Sequence, residues 1–504
     1  MNFMNPRSLI FAGVVACVVT VHAGEIPARP EALKFPPLTF EPPHPSEYRV
    51  ELDHGAVAYL IPDRTLPLVN ISGTIRTGEY LDPKGQEGLA DLTGYLMSRG
   101  GIKSKSAEEL DERVAFLAAG LSSDISGFAG SVNINLLSKD LDEGLAILRE
   151  VLAEPRFQQD KIDLRKQQIL QSMKQRNDDS SDIEQRERRS LAFGEDFWSN
   201  RLTTKASIDS ITRDNLIAFH QKWVHPDNFI FAVAGDFDPA DMKKKLNALI
   251  NSWPYQGEVP PPVPTNSKLA DAGVYMMDKD VNQGRVTVLL PGIQRDDPDY
   301  FACLVMNDVL GGGGFTSRLM NRIRSDEGLA YGAGSAFQAG VFAPGPFIAA
   351  FQSKSRTVPY ATEIIVEEMN RIKNEPVSDE EINTAKRSFI DTFPDNFESK
   401  AAVAGLFASD EFTGRYNKQP DYWKNYRDRI EAITKDDVQT VAKKYLDEDR
   451  VVILMVGDKD EIEKGHPDHP TKVTDLGNGK IIDVPLRDPL TLEPLAKAPE
   501  VKAD

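Results

Sequence analysis

Several short stretches alternate apolar and polar residues, while others repeat their apolar positions every three to four residues. "AVAYLIP" and "LVNISGTIRTG", near 56–77, alternate like paired strands. "GSVNINLLS" at 130–138 alternates again and leads into a helical pattern near 140–153. In "EGLADLTGYLMSRGG", Glu87 to Gly101, residues Leu89, Leu92 and Leu96 share one helix face, and Gly100-Gly101 is a stop signal. On the other face Asp91 and Tyr95 stand four apart and point the same way. Farther along, "GRVTVLLPG" reads as a strand and "DYFACLVMNDVLGG" as a helix stopped by glycines. "SDEEINTAKRSFIDTF" opens with the capping box Ser378…Glu381. Strands followed by helices, twice over, predict an α+β fold of two halves, each a mostly antiparallel sheet packed with helices.

The halves are related. "ITRDNLIAFHQKWVHPDNFIFAVAGDFD" at 211–238 aligns without a gap on "ITKDDVQTVAKKYLDEDRVVILMVGDKD" at 433–460, an offset of 222 with eight of 28 positions identical. Each copy predicts a Thr-capped helix, a turn, and a buried strand closed by Gly-Asp. Proline-rich pieces mark the boundaries: a leader over 24–46 and a linker over 255–268. The expected organisation is a signal peptide (1–23), the leader, an N-terminal domain (47–254), the linker, a C-terminal domain (269–465) and a polar, proline-broken tail (466–504), at most partly ordered.

Composition narrows the class. The 504 residues carry a net charge of −18, with 40% apolar and 27% charged residues, as in a soluble globular protein. That acidity argues against nucleic acid or anionic membrane as the main partner. At the N-terminus, Arg7, the 13-residue apolar run Leu9–Val21 and the small-residue site ending at Ala23 read as an export signal. The run is too short to span a bilayer, and no other stretch is long and apolar enough. The expected location is periplasmic. The alternative is a lipoprotein signal with Cys17 as the lipidated residue. Cleavage after Ala23 leaves only Cys303, so no intramolecular disulfide is expected.

The chemistry is sparse. No two of the seven histidines stand four apart, and His466 and His469 lie among prolines in the tail. Without histidine or thiolate pairs, a tightly bound transition metal is not expected. There is no GxSxG elbow, no P-loop and no GxGxxG after a strand. The run Gly311–Gly314 follows a helix and reads as its cap and turn. Taken as residue types, Asp91 and Tyr95 suggest a mutual hydrogen bond or simple packing of the ring.

The 87–101 stretch resembles the zinc helix of the insulinase and pitrilysin-type peptidases, where Gly-Leu-Ala precedes HxxEH. On that frame Asp91 stands at the first zinc-ligand histidine, Gly94 at the general-base glutamate and Tyr95 at the second histidine. Ser172, 77 residues after Tyr95, stands at the third ligand. All four positions are altered. The segments "WVHPDNFIFAVAGDFD" and "LGGGGFTSRLMNRIRSDEGLAYGAGSAF" (310–337) also resemble the family, the second through a pattern like LGGGxSSRLxxxIRExxGLAY. The resemblance implies that Arg324 and Tyr331 reach across a clamshell-like chamber to the substrate backbone beside a zinc. Both side chains can donate to an oxygen that gains negative charge. Residue types alone also allow Arg324 to pair with Asp326 or Glu327, and Tyr331 to pack in the core. Some bacterial members are two-chain peptidases, and this chain looks like the one without HxxEH. The resemblance then implies no cofactor in this chain, zinc in a homologous HxxEH partner, and unfolded peptides as substrates. The competing expectation is an inactive peptide-binding or scaffold protein of the same fold.

Overall fold

The computed structural model describes residues 39–253 and 257–495, with Arg29 and Leu33. The signal peptide, Cys17 and most of the 24–46 leader lie outside the described residues. Each half builds a six-stranded sheet. The first has the order β1 (Arg49–Glu51), β2 (Val57–Pro62), β6 (Phe229–Gly235), β3 (Leu68–Ile75), β5 (Ala129–Leu137), β4 (Gly120–Ser126). The second has β12 (Ile481–Asp483), β7 (Gly273–Asp278), β11 (Val452–Gly457), β8 (Gln283–Leu290), β10 (Phe347–Lys354), β9 (Ala330–Phe337). Most neighbours are antiparallel, but β2–β6, β7–β11 and β7–β12 run parallel, so both sheets are mixed.

The internal repeat is visible as structure. Helices Arg213–Trp223 and Lys435–Tyr445 are capped by Thr212 and Thr434, each in a reciprocal capping box. Each feeds a strand, β6 or β11, that inserts beside the sheet centre and is buried along its whole length. Unbroken apolar runs suit these positions because both faces are covered. On β3 and β5 burial alternates, as the sequence pattern predicts.

The halves are interlocked. Helix Ser180–Phe193, from the first half, packs on the second sheet through Ile183 against Met277, Leu454 and Val456 and through Ala192 against Leu289, Ile348 and Val452. Helix Lys400–Phe412, from the second half, packs on the first. There Glu411 accepts two hydrogen bonds from Arg49, at 3.0 and 3.1 Å, and one from the Tyr59 hydroxyl at 2.9 Å. Arg76 donates to the Phe412 carbonyl at 2.9 Å.

The tail departs from its expectation. Residues 481–483 extend the second sheet as β12, and Val473 and Leu476 are buried. Arg487 is paired with Glu187 and Glu195, its carbonyl accepts from Asn177 at 2.8 Å, and the Leu490 carbonyl accepts from Lys205 N at 2.8 Å. The order comes from sheet-edge and side-chain partners elsewhere in the chain, which local polarity does not reveal. Linker residues 257–268 form no regular element, yet the Pro261 and Pro264 carbonyls accept from Tyr80 and Trp198. No helix among the described residues is long and apolar enough to cross a membrane.

Candidate functional site

Helix α1 (Leu89–Arg99) is the element expected between Glu87 and Gly101, and it ends at Gly100. Its first turn is held by Asp82, which accepts from Gly88 N at 2.9 Å and Ala90 N at 2.8 Å. Burial pushes the Asp82 carboxyl up to about 7, against the pull of those two N–H donors.

The helix lies directly on β4. A Cβ on Gly94 would sit 2.1 Å from Ile125 N and 2.6 Å from Asp124 C, so no side chain fits there. The Ser123 hydroxyl donates to the Gly94 carbonyl at 2.5 Å and accepts from Ser98 N at 3.0 Å. A strand side chain thus bridges one turn of the helical ladder.

Asp91 and Tyr95 do not hydrogen-bond each other. Arg165, from helix Gln159–Lys174, serves both: its Nη2 lies 3.4 Å from Asp91 Oδ2, and its guanidinium lies 4.0 Å from the Tyr95 ring centre. Arg99 adds a second cation 4.6 Å from that ring centre. Tyr95 also packs on the core of the first half, as one sequence reading expects. Burial raises the Asp91 carboxyl, and the Arg165 charge opposes the rise. Ser172 is exposed on the helix of Arg165, two turns and about 10 Å farther along.

These residues do not fit a zinc ion. The one carboxylate is already ion-paired, two guanidiniums cover the phenol, Gly94 has no room for a base, and Ser172 is remote from Arg165. Among the described residues no group of three or more His, Cys, Asp or Glu is arranged to hold a metal. The tail histidines are ordered: the His469 ring stacks on Tyr360 at 3.6 Å, with His466 4.7 Å from His469.

Arg324 sits in a π-helical turn, Asn321–Asp326, a wide turn often found at functional sites. Two other arginines stand nearby in the chain. Arg318 forks onto Glu381 at 2.7 and 3.1 Å, and Arg322 pairs with Glu368 at 3.1 Å. Arg324 makes no ion pair among the described residues. Its guanidinium lies 4.8 Å from the Phe315 ring centre and 4.6 Å from that of Tyr331. Both rings face solvent, Phe315 at 69% and Tyr331 at 87% exposure. The alternative of an Arg324 ion pair with core packing of Tyr331 is therefore not what the chain adopts. Tyr331 lies on β9, the last strand of the second sheet. Gly311 lets the preceding helical segment close on that strand, since a Cβ there would meet Ser335 N at 2.5 Å.

Sequence reasoning brought Arg324 and Tyr331 together but missed Arg165 and Phe315. Arg165 stands seven residues before Ser172 on the same helix face, and Phe315 directly follows the glycine run. Both positions were open to reading, but neither carries a motif.

The chain is similar to known proteins in sequence and in fold. The family model described as Insulinase (Peptidase family M16) matches residues 59–204, and the one described as Peptidase M16 inactive domain matches residues 210–389. A relative named Non-peptidase homolog YmxG, from Helicobacter pylori, is 28% identical over 336 residues, 65% of this chain and 76% of its own. An uncharacterized zinc protease of Rickettsia bellii is 25% identical over 290 residues, 55% of this chain and 68% of its own. In fold, the chain resembles the crystal structure of a peptidase M16 inactive domain from Pseudomonas fluorescens. The TM-score is 0.72 at 24% identity, covering 82% of this chain and 97% of that one.

Proposed function

This chain belongs to the M16 insulinase family, and on that premise we propose that it is the non-zinc subunit of an exported two-chain zinc endopeptidase. The observation that carries this reading is the Arg324–Tyr331 pair: a cation without an acidic partner among the described residues, held between two solvent-facing rings at the last strand of a sheet. Folding alone does not call for such an arrangement. The filled α1 site is consistent with a chain that performs no hydrolysis of its own.

In the complex, zinc and its HxxEH motif belong to the partner, and the two chains enclose a chamber that admits unfolded peptides. An extended peptide binds partly by adding a strand to a sheet edge through its backbone. Arg324 and Tyr331 donate hydrogen bonds to the peptide carbonyl whose oxygen gains charge as it is attacked. Export rests on the N-terminal signal, with Cys17 lipidation as its variant.

The test is recovery of the tagged chain from the exported fraction of its host, with mass spectrometry of what co-purifies. A homologous chain bearing HxxEH is expected in equal amount. In that complex Arg324→Ala or Tyr331→Phe should lower peptide turnover by about 10²-fold without dissociating the subunits. Unchanged turnover in both variants rejects the assignment. The second reading, a peptide-binding or scaffold protein without a role in proteolysis, draws on the relative named a non-peptidase homolog. Recovery of the chain alone, or with a partner lacking a metal motif, favours it.

A further inference from the structure

The first sheet turns a polar face toward the helix it receives from the second half. On β3, β5 and β4, residues Asn70, Ser72, Asn133, Asn135 and Ser122 line one side of a cavity of about 500 Å³. Val69, Ile71, Val132 and Ile134 alternate with them and are buried in the core. Across the cavity, helix Lys400–Phe412 offers only Ala401, Ala404 and Gly405. The volume falls in the range of ligand-binding pockets.

Gly405 is the telling residue. A glycine inside a helix is destabilising relative to alanine, and close packing or a left-handed backbone usually explains it. Neither applies here: a Cβ on Gly405 would meet nothing within 4 Å, and its φ is not positive. Its effect is to keep space open. Gly94 and Gly144, where a Cβ would meet neighbours at 2.1 and 2.5 Å, show the opposite case.

The polar face holds unused hydrogen-bonding capacity. Ser72 donates to the Asn133 amide oxygen at 2.6 Å, and the Asn135 amide donates to that of Asn70. One end of the Asn70 and Asn133 amides and the Ser122 hydroxyl keep no protein partner among the described residues. No ionisable side chain and no aromatic ring lines the cavity. A charged group entering it would gain no counter-ion, and a sugar would find no ring to stack on. A neutral amide or hydroxyl would be met by matching donors and acceptors.

We propose that this cavity seats an uncharged polar segment of an extended peptide, with Asn, Gln, Ser or Thr side chains against Asn70, Asn133 and Ser122. The inference rests on peptide binding being this chain's task and adds a selectivity for neutral residues. The test uses the full chain without any partner, so the two-subunit reading can fail while this one stands. Fluorescence anisotropy would compare a labelled Ser-Gln-Asn-Thr peptide with matched peptides carrying Glu or Lys. The neutral peptide should bind at least about tenfold more tightly. Gly405→Leu should weaken that binding by about tenfold, with an unchanged thermal midpoint because the added side chain enters open space. Asn133→Leu, at an exposed strand position, should weaken it also, and serves if the helix variant fails to fold. Equal affinity for neutral and charged peptides, no binding up to millimolar concentration, or wild-type affinity in the folded variants would overturn the proposal.

Discussion

The guanidinium of Arg165 lies 4.0 Å from the centre of the Tyr95 ring, the residue that the family resemblance sets against the second zinc-ligand position. The same side chain reaches Asp91, at the position of the first. One arginine thus engages both side chains, and its charge opposes the arrival of a dication.

Histidines alone should not restore a metal site. The double variant Asp91→His/Tyr95→His is expected to take up no stoichiometric zinc in equilibrium dialysis at micromolar metal. Arg165 remains beside the new ligands, and among the described residues no three His, Cys, Asp or Glu side chains are arranged to hold a metal. Stoichiometric uptake would show that the guanidinium moves aside freely.

Gly94 should tolerate no side chain. Gly94→Ala sets a methyl group against the β4 backbone, 2.1 Å from Ile125 N. The expected cost is about 3 kcal/mol, at the high end for overpacking because backbone must yield. Urea denaturation reads it directly, and a loss below about 0.5 kcal/mol would mean that helix and strand separate easily.

Glu411 should hold the two halves together. Its carboxylate is buried and satisfies both Arg49 and Tyr59. Glu411→Ala leaves a part-buried guanidinium and a buried phenol without that acceptor, at an expected cost of about 3 kcal/mol. A broadened or two-step unfolding transition would accompany it if the first sheet then unfolds separately.

His220 should make stability depend on pH. Its ring is buried, its Nε2 donates to the Leu152 carbonyl at 2.8 Å, and burial lowers its pKa to about 4. The folded chain resists protonating a group that the unfolded chain protonates below about 6.5. The stabilisation is therefore complete above pH 6.5 and is lost as pH falls to about 4, by about 3 kcal/mol in all. The stability difference between wild type and His220→Gln should shrink over that interval. A difference independent of pH would refute the assignment.

Arg324, Phe315 and Tyr331 should matter little to folding. Both rings are exposed and the cation makes no ion pair among the described residues, so alanine at each position should change stability by about 0.5 kcal/mol or less. A loss of about 2 kcal/mol at any of them would assign the cluster to structure instead.

Much of this architecture was open to reading before any fold was known. The apolar spacing of Leu89, Leu92 and Leu96 marks α1 and its buried side, and Gly100 marks its end. The 222-residue repeat marks two helix–strand units that take equivalent places in two sheets. The tail misled because β12 is three residues long and owes its order to the edge of β7.

The sequence by itself determined the two α+β halves, the helix from Leu89 to Arg99, and the nearness of Arg324 and Tyr331 in one segment. Periodicity, capping and motif frames act over a few turns or along one strand, and these features are written at that range. Only the tertiary structure decided that the halves exchange helices, that Arg165 fills the site of Asp91 and Tyr95, that Phe315 flanks Arg324, and that Gly405 leaves a cavity open. Each depends on residues brought together by packing from distant parts of the chain or from separate turns. No local pattern specifies which side chain will arrive at a given face.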